Sequence, residues 1–305
     1  MAAAAVRLKG HMQLRTKLNS RVVVVLGIAI AVLVPALTLP RLPHVTLWPV
    51  LLGLVPWVIG KYVLCPLRWH ALTDAGLSRW WHVRAYAEAE LLGLFTPGHV
   101  GADLWRIRRL TRGGLGRPDA LTSVGLDRLV GAIGLAAFVG FAGTALPLRM
   151  LVVAVGVSIA VIAAALILRR LRPDLLPRRP LPRPKQLTHA LLLSAGYQLS
   201  IAVLLFGAVS ATGYPVSPLA LLGAFGASQL AGAIPGPNGA SPRDAALVVA
   251  LVALGVPWVA AAGAVTLKAV LAWLPALLLG GVSLVLTRRA VRRLAASTTA
   301  GAVTA

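Results

Sequence analysis

Thr96-Pro97-Gly98-His99-Val100-Gly101-Ala102-Asp103 and Ile234-Pro235-Gly236-Pro237-Asn238-Gly239-Ala240-Ser241-Pro242-Arg243-Asp244 interrupt two hydrophobic segments in the same way. Each runs Pro-Gly, a second glycine and then an aspartate, between apolar stretches too short to cross a bilayer alone. Proline lacks the backbone donor and its ring clashes with the preceding turn, so Pro97 and Pro235 stop a helix. Gly98, Gly101, Gly236 and Gly239 complete the breaks. A further charge sits in an apolar run 24 residues beyond each aspartate: Asp127 after Asp103, and Lys268 after Asp244. Paired interruptions in the two halves of a membrane chain mark, in transporters, the place where a binding site is built. With 30 Gly and 21 Pro available, two such breaks can also coincide by chance.

The composition demands a membrane. Of 305 residues 58% are hydrophobic and 12% charged, with a mean hydropathy of +0.83, whereas a soluble domain carries about 25% charged residues. The 30 Lys and Arg outnumber the 8 acids, but they cluster between apolar runs and lack any nucleic-acid signature. They read as topology determinants facing anionic lipid, with no nucleic-acid partner expected. A single cysteine, Cys65, excludes an internal disulfide and a cysteine metal cluster. The first apolar run follows Arg15, Lys17 and Arg21 but lacks a small-residue cleavage site, so an uncleaved helix is expected.

A hydrocarbon core about 30 Å thick takes roughly 20 helical residues. Six stretches meet that length: residues 22–39, 45–67, 121–146, 150–168, 190–212 and 258–286. Three apolar stretches fall short, at 85–95, 219–234 and 245–256, and the first of them carries Glu88 and Glu90. Basic residues crowd the segments before the first run, before the third, after the fourth and after the last, which places both termini in the cytoplasm. The expected fold is therefore an all-α polytopic bundle: six full spans plus two broken re-entrant hairpins, about eight membrane segments in all. The first hairpin opens to the cytoplasm and the second to the outside, an inverted repeat with halves at about 21–147 and 148–287. Residues 219–234 remain open to a second reading as a full span. Residues 1–20 read as a basic cytoplasmic tail, 21–290 as one transmembrane domain, 169–185 as an extended cytoplasmic linker and 291–305 as a disordered tail.

Charges inside a bilayer face protein or water and often mark pathways. Asp127 shares a helical face with Gly131 and Gly134, small residues that allow close helix approach, so it is expected to point inward. Its structural alternative is a pair with Arg128 at the cytoplasmic boundary. Lys268 lies deep in its run with Ala264 and Ala272 on its face, again an inward position, against an alternative of snorkelling. Arg106 follows Asp103 by three residues, within reach on one face. Arg108 and Arg109 read as cytoplasmic anchors. Asp103 and Asp244 could simply cap the returning helices, a role compatible with an anion site at helix amino ends. The proposed lipid head-group site is thus Asp103, Arg106, Asp127, Arg128, Asp244 and Lys268. His99 has no second histidine near it in sequence, so no metal site, no cofactor and no catalytic residue are expected.

These elements resemble a known family. Residues 91–106, running Leu91-Leu92-Gly93 to Gly101-Ala102-Asp103-Leu104-Trp105-Arg106, are similar to the "LLP-x-x-x-GD-x-x-R" element of the lysylphosphatidylglycerol synthase transmembrane, flippase-like family. Asp127-Arg128 resembles that family's Glu-Arg, and residues 235–247 with Leu254-Gly255-Val256-Pro257 resemble its "PGG-x-G-x-x-E-x-x-L … GVP" element. Lys268 stands where the family commonly has arginine. The chain departs by shorter acids at Asp127 and Asp244, lysine at Lys268 and extra residues including Pro242 in the second turn.

The resemblance implies a flippase-like membrane part. The chain ends 19 residues after Leu286, so the soluble domain that makes the aminoacyl lipid is not expected. The function read from the sequence is movement of a phospholipid or polyprenyl-linked lipid across a bacterial plasma membrane, with membrane lipids as partners and no enzyme activity. The alternatives are a polyprenyl-phosphate glycosyltransferase and a scaffold for a separate lipid-modifying enzyme.

Overall fold

The computed structural model describes residues 46–73, 75–94, 96, 100–141, 182–231 and 241–289, with isolated positions elsewhere. All regular structure among them is helical. In chain order, α1 is Leu47–Leu72, α2 Arg79–Leu94, α3 Val100–Arg112, α4 Arg117–Phe141, α5 Pro184–Ser210, α6 Pro218–Leu230, α7 Pro242–Ala253 and α8 Trp258–Arg289. Four of these, α1, α4, α5 and α8, are long and apolar enough to cross a membrane. They fall on four of the six expected spans; 22–39 and 150–168 lie, but for isolated positions, outside the described residues. So do Pro97, Gly98, His99, Pro235, Gly236 and Gly239, the tails, and most of the 169–185 linker.

The short apolar stretches become short helices. The 16 residues of α2 reach about 24 Å, and the 13 of α3, 13 of α6 and 12 of α7 about 20 Å or less, all below the thickness of a hydrocarbon core. They pack pairwise, α2 on α3 and α6 on α7. The described chain thus twice follows the order short, short, long: α2, α3, α4 and then α6, α7, α8.

Two interfaces set the frame. The antiparallel pair α1 and α5 is the most extensive, and glycine makes it close. A Cβ on Gly53 would lie 2.8 Å from the Val203 carbonyl oxygen, and one on Gly207 2.4 Å from that of Pro49. Where two backbones approach this nearly, only glycine fits. Leu204, Leu205, Ala208 and Val209 of α5 share the main core with Ala260, Ala261 and Ala264 of α8 and Leu247 and Leu251 of α7. Small alanines on α8 bring it near enough for polar groups on its face to meet other helices.

Both outer long helices are irregular. α1 widens into a π turn at Gly60–Leu64, between Pro56 and Pro66, and α8 does so at Ala276–Gly280, next to Pro275. Proline frees a carbonyl in each ladder, which is the usual origin of such distortion. π turns concentrate at functional sites, and both lie beside the cavity described next.

Candidate functional site

Charged side chains collect in three places, each built on the short helices. In the first, Asp127 of α4 is 1% exposed and holds two arginines from other helices. Arg68 Nε of α1 donates to its Oδ1 at 2.7 Å, and Arg106 Nη2 of α3 donates to its Oδ2 at 2.7 Å. Arg68 also donates to Ser194 of α5 at 3.2 Å. Arg106 lies over the Trp69 ring at 4.3 Å and the Tyr86 ring at 5.2 Å, so its guanidinium is stacked as well as paired. The glycine face expected of α4 explains the depth: Gly131 gives room to the Arg68 guanidinium and Gly134 to Ser194.

Asp103 and Arg128 make the reciprocal link between α3 and α4. Arg128 Nη2 donates to Asp103 Oδ1 at 2.9 Å and Nε to both carboxylate oxygens at 3.1 Å. Asp103 also lies 3.6 Å from Arg106 Nη1. The α3–α4 crossing is therefore closed by two pairs that exchange aspartate and arginine between helices, one buried and one at the rim. Asp103 sits in the first turn of α3, and Thr96 rather than Asp103 takes the Gly101 amide, at 3.0 Å.

The second cluster is centred on Glu88, fully buried on α2. It accepts from Trp105 Nε1 at 3.0 Å, Ser283 Oγ at 3.2 Å and Thr287 Oγ1 at 2.6 Å, and lies 3.2 Å from Arg109 Nε. Arg109, read from the sequence as a cytoplasmic anchor, lies with its side chain 16% exposed against this carboxylate. This cluster fastens α2 and α3 to the last turns of α8.

The third cluster lines a cavity of about 100 Å³ among α1, α2, α5, α6, α7 and α8. Trp57, Phe225, Leu247 and Ala272 give it an apolar body, and Lys61, Glu90, Arg243 and Lys268 give it charge. Lys61, on the α1 π turn, pairs with Glu90 at 3.0 Å and lies 5.5 Å from the Tyr197 ring centre. Lys268 faces Asp244 Oδ1 at 3.5 Å. The other Asp244 oxygen belongs to a capping box: Ser241 donates to it from its amide at 3.2 Å and its hydroxyl at 2.6 Å, while Ser241 Oγ takes the Asp244 amide. Asp244 thus caps α7 and faces Lys268 at once.

A model of the family described as lysylphosphatidylglycerol synthase TM region matches residues 22–280, most of the chain. The chain belongs to that family. No curated protein matches it, and no solved structure does. Membership in the lysylphosphatidylglycerol synthase TM region family makes it a membrane protein of lipid-related type.

The six site residues read from the sequence fall into two groups. Asp103, Arg106, Asp127 and Arg128 meet at the α3–α4 crossing, and Asp244 and Lys268 meet at the cavity; Arg106 and Arg128 are not among the residues that line it. The sequence reading passed over Lys61, Arg68 and Arg243. Lys61 carried the same signal as Lys268, a lone cation within an apolar run. Arg68 and Arg243 sit at helix ends beside other polar residues, where nothing in the sequence sets them apart from interfacial anchors.

Proposed function

We propose that this chain carries the head group of a phospholipid or polyprenyl-linked lipid across a bacterial plasma membrane while the acyl chains stay in lipid. The observation that supports this most is the cavity that gathers Lys61, Arg243 and Lys268 beside apolar walls such as Trp57, Phe225 and Leu247. A cation at membrane depth costs about 2.5–3.5 kcal/mol on insertion scales; Glu90 and Asp244 offset two of these three, and the remaining excess is what an anion would meet. The phosphate of a lipid head group is that anion, and lipid tails can remain in the bilayer beside it. The π turns at Lys61 and at Ala276–Gly280 give α1 and α8 places to flex around the cavity. Both termini are cytoplasmic in this reading, the short helix pairs are re-entrant hairpins opening to opposite sides, and the protein works as a carrier without chemistry of its own.

The test is translocation in vesicles of phosphatidylethanolamine and phosphatidylglycerol, doped with a fluorescent phosphatidylglycerol or a fluorescent polyprenyl phosphate. Dithionite quenching of the inner-leaflet probe should rise with the wild-type chain for at least one of the two, and fall back to the protein-free level with Lys268→Gln. If the chain moves neither probe, or if Lys268→Gln moves it as fast as wild type, the transport site is wrongly placed.

A further inference from the structure

Charge at the cavity does not balance. Lys61 is matched by Glu90 at 3.0 Å, and Lys268 by Asp244 at 3.5 Å. Arg243, half-buried on the same wall, has no ion pair among the described residues. Three cations against two carboxylates leave one positive charge, and it sits on the residue best shaped to grip a phosphate with two parallel hydrogen bonds. Arg243 also lies in the first turn of α7, where the helix dipole adds to the positive potential.

We infer that the cavity selects a lipid head group of one net negative charge, a phosphodiester, over both a dianionic phosphomonoester and a zwitterion. The inference rests on the transport reading and narrows it. A diester monoanion brings the cavity to neutrality, with Arg243 as its main partner and Lys268, loosely held at 3.5 Å, as the second. A monoester dianion leaves one negative charge uncompensated among apolar walls such as Trp57, Phe225 and Leu247, where an unpaired charge is expensive. A zwitterion fails differently. Its ammonium needs a carboxylate, yet Glu90 is held by Lys61 and Asp244 by Ser241 and Lys268. A cavity of about 100 Å³ has room for several waters or one phosphate group, so the phosphate itself is what the charge must match.

Dihexanoyl-phosphatidylglycerol, dihexanoyl-phosphatidylcholine and dihexanoyl-phosphatidic acid, titrated by calorimetry into the full chain in an uncharged maltoside detergent, test this. The measurement is made at about pH 8, where the monoester is doubly charged. Phosphatidylglycerol should bind about tenfold to a hundredfold more tightly than phosphatidylcholine, the worth of one charge-assisted hydrogen-bonded contact, and more tightly than phosphatidic acid. Arg243→Gln should bring phosphatidylglycerol and phosphatidylcholine to equal affinity, and Arg243→Lys should keep most of their difference. Tighter binding of phosphatidic acid, or a preference for phosphatidylglycerol that survives Arg243→Gln, overturns the charge rule while leaving a lipid site. Binding of none of the three overturns the lipid site itself. Should Arg243→Gln fail to fold, the ranking of the three lipids on wild type decides.

Discussion

Asp127→Asn is the substitution that most directly probes how the two halves of the first charge cluster hold together. The amide keeps the shape and removes one charge from between Arg68 and Arg106, whose side chains are 7% and 3% exposed. Breaking a buried ion pair by removing one partner costs about 3–5 kcal/mol, because the surviving charge stays buried. Here two cations survive, but each keeps something: Arg68 has Ser194 at 3.2 Å, and Arg106 has Asp103 at 3.6 Å and two aromatic rings. The expected loss is therefore near the low end, about 3 kcal/mol. At roughly 2–4 °C per kcal/mol, the figure for domains of 150–250 residues, the Tm in mild detergent should fall by about 6–12 °C. Tryptophan fluorescence is a fitting readout, since Trp69 lies under Arg106. Adding Arg106→Gln to Asp127→Asn should recover part of the loss, by about 0.5–3 kcal/mol of coupling between contacting groups. A Tm within a degree or two of wild type, or a loss abolished by 1 M salt that screens only exposed charges, would refute the claim that Asp127 is a desolvated hub.

Asp103→Asn makes the contrast. The Asp103–Arg128 pair is 28% and 49% exposed, so its removal should cost about 1 kcal/mol or less, and melts at low and high salt should converge. Gly207→Leu tests the frame: the new Cβ meets the Pro49 carbonyl backbone at 2.4 Å, and the strain should reach the upper part of the overpacking range, about 3 kcal/mol. Gly125→Leu, with nothing within 4 Å of its Cβ, is the control. Equal thermal melts for the two leucine variants would show that α1 and α5 are not pressed together at glycine.

What could be read from the sequence followed from what the bilayer enforces. Long apolar runs became the helices α1, α4, α5 and α8, because a stretch of that length with so few charges has no other stable use. The inward face of α4 was legible in the Asp127, Gly131 and Gly134 spacing, and that of α8 in Ala264, Lys268 and Ala272, because small residues flanking a lone charge let another helix come close enough to cover it. Pairing was less legible. The 24-residue rule joined Asp244 to Lys268, which do meet, but put Asp103 opposite Asp127, where the contact is made through Arg128 and Arg106 instead. Two carboxylates cannot close an interface on their own, so each took the cation next to the other. The partners contributed by α1, Lys61 and Arg68, depend on which helix packs against which, and a local pattern holds no record of that.

The division between the clusters has a physical logic that runs through Tyr86. Its ring centre lies 5.2 Å from the Arg106 guanidinium carbon and 5.8 Å from Lys61 Nζ, so α2 sets one aromatic ring within reach of both the α3–α4 lock and the cavity lysine. On the lock side, both Asp127 oxygens are taken and Arg106 is stacked on two rings. A small anion entering there would have to displace bonds of 2.7 Å, and gains little by doing so. On the cavity side, Lys268 is held only at 3.5 Å and Arg243 is unmatched among the described residues, so an anion gains contacts without breaking strong ones. Fixed charges favour a ligand only when their own orientation is already settled before it arrives. With Glu88 tying α2 to α8 and Asp127 tying α4 to α1 and α3, the walls that carry Lys61 and Lys268 are braced from behind. On the transport reading proposed above, the buried lock would serve the cavity by rigidity rather than by contact, and the loosely paired charges would be the ones that meet a ligand.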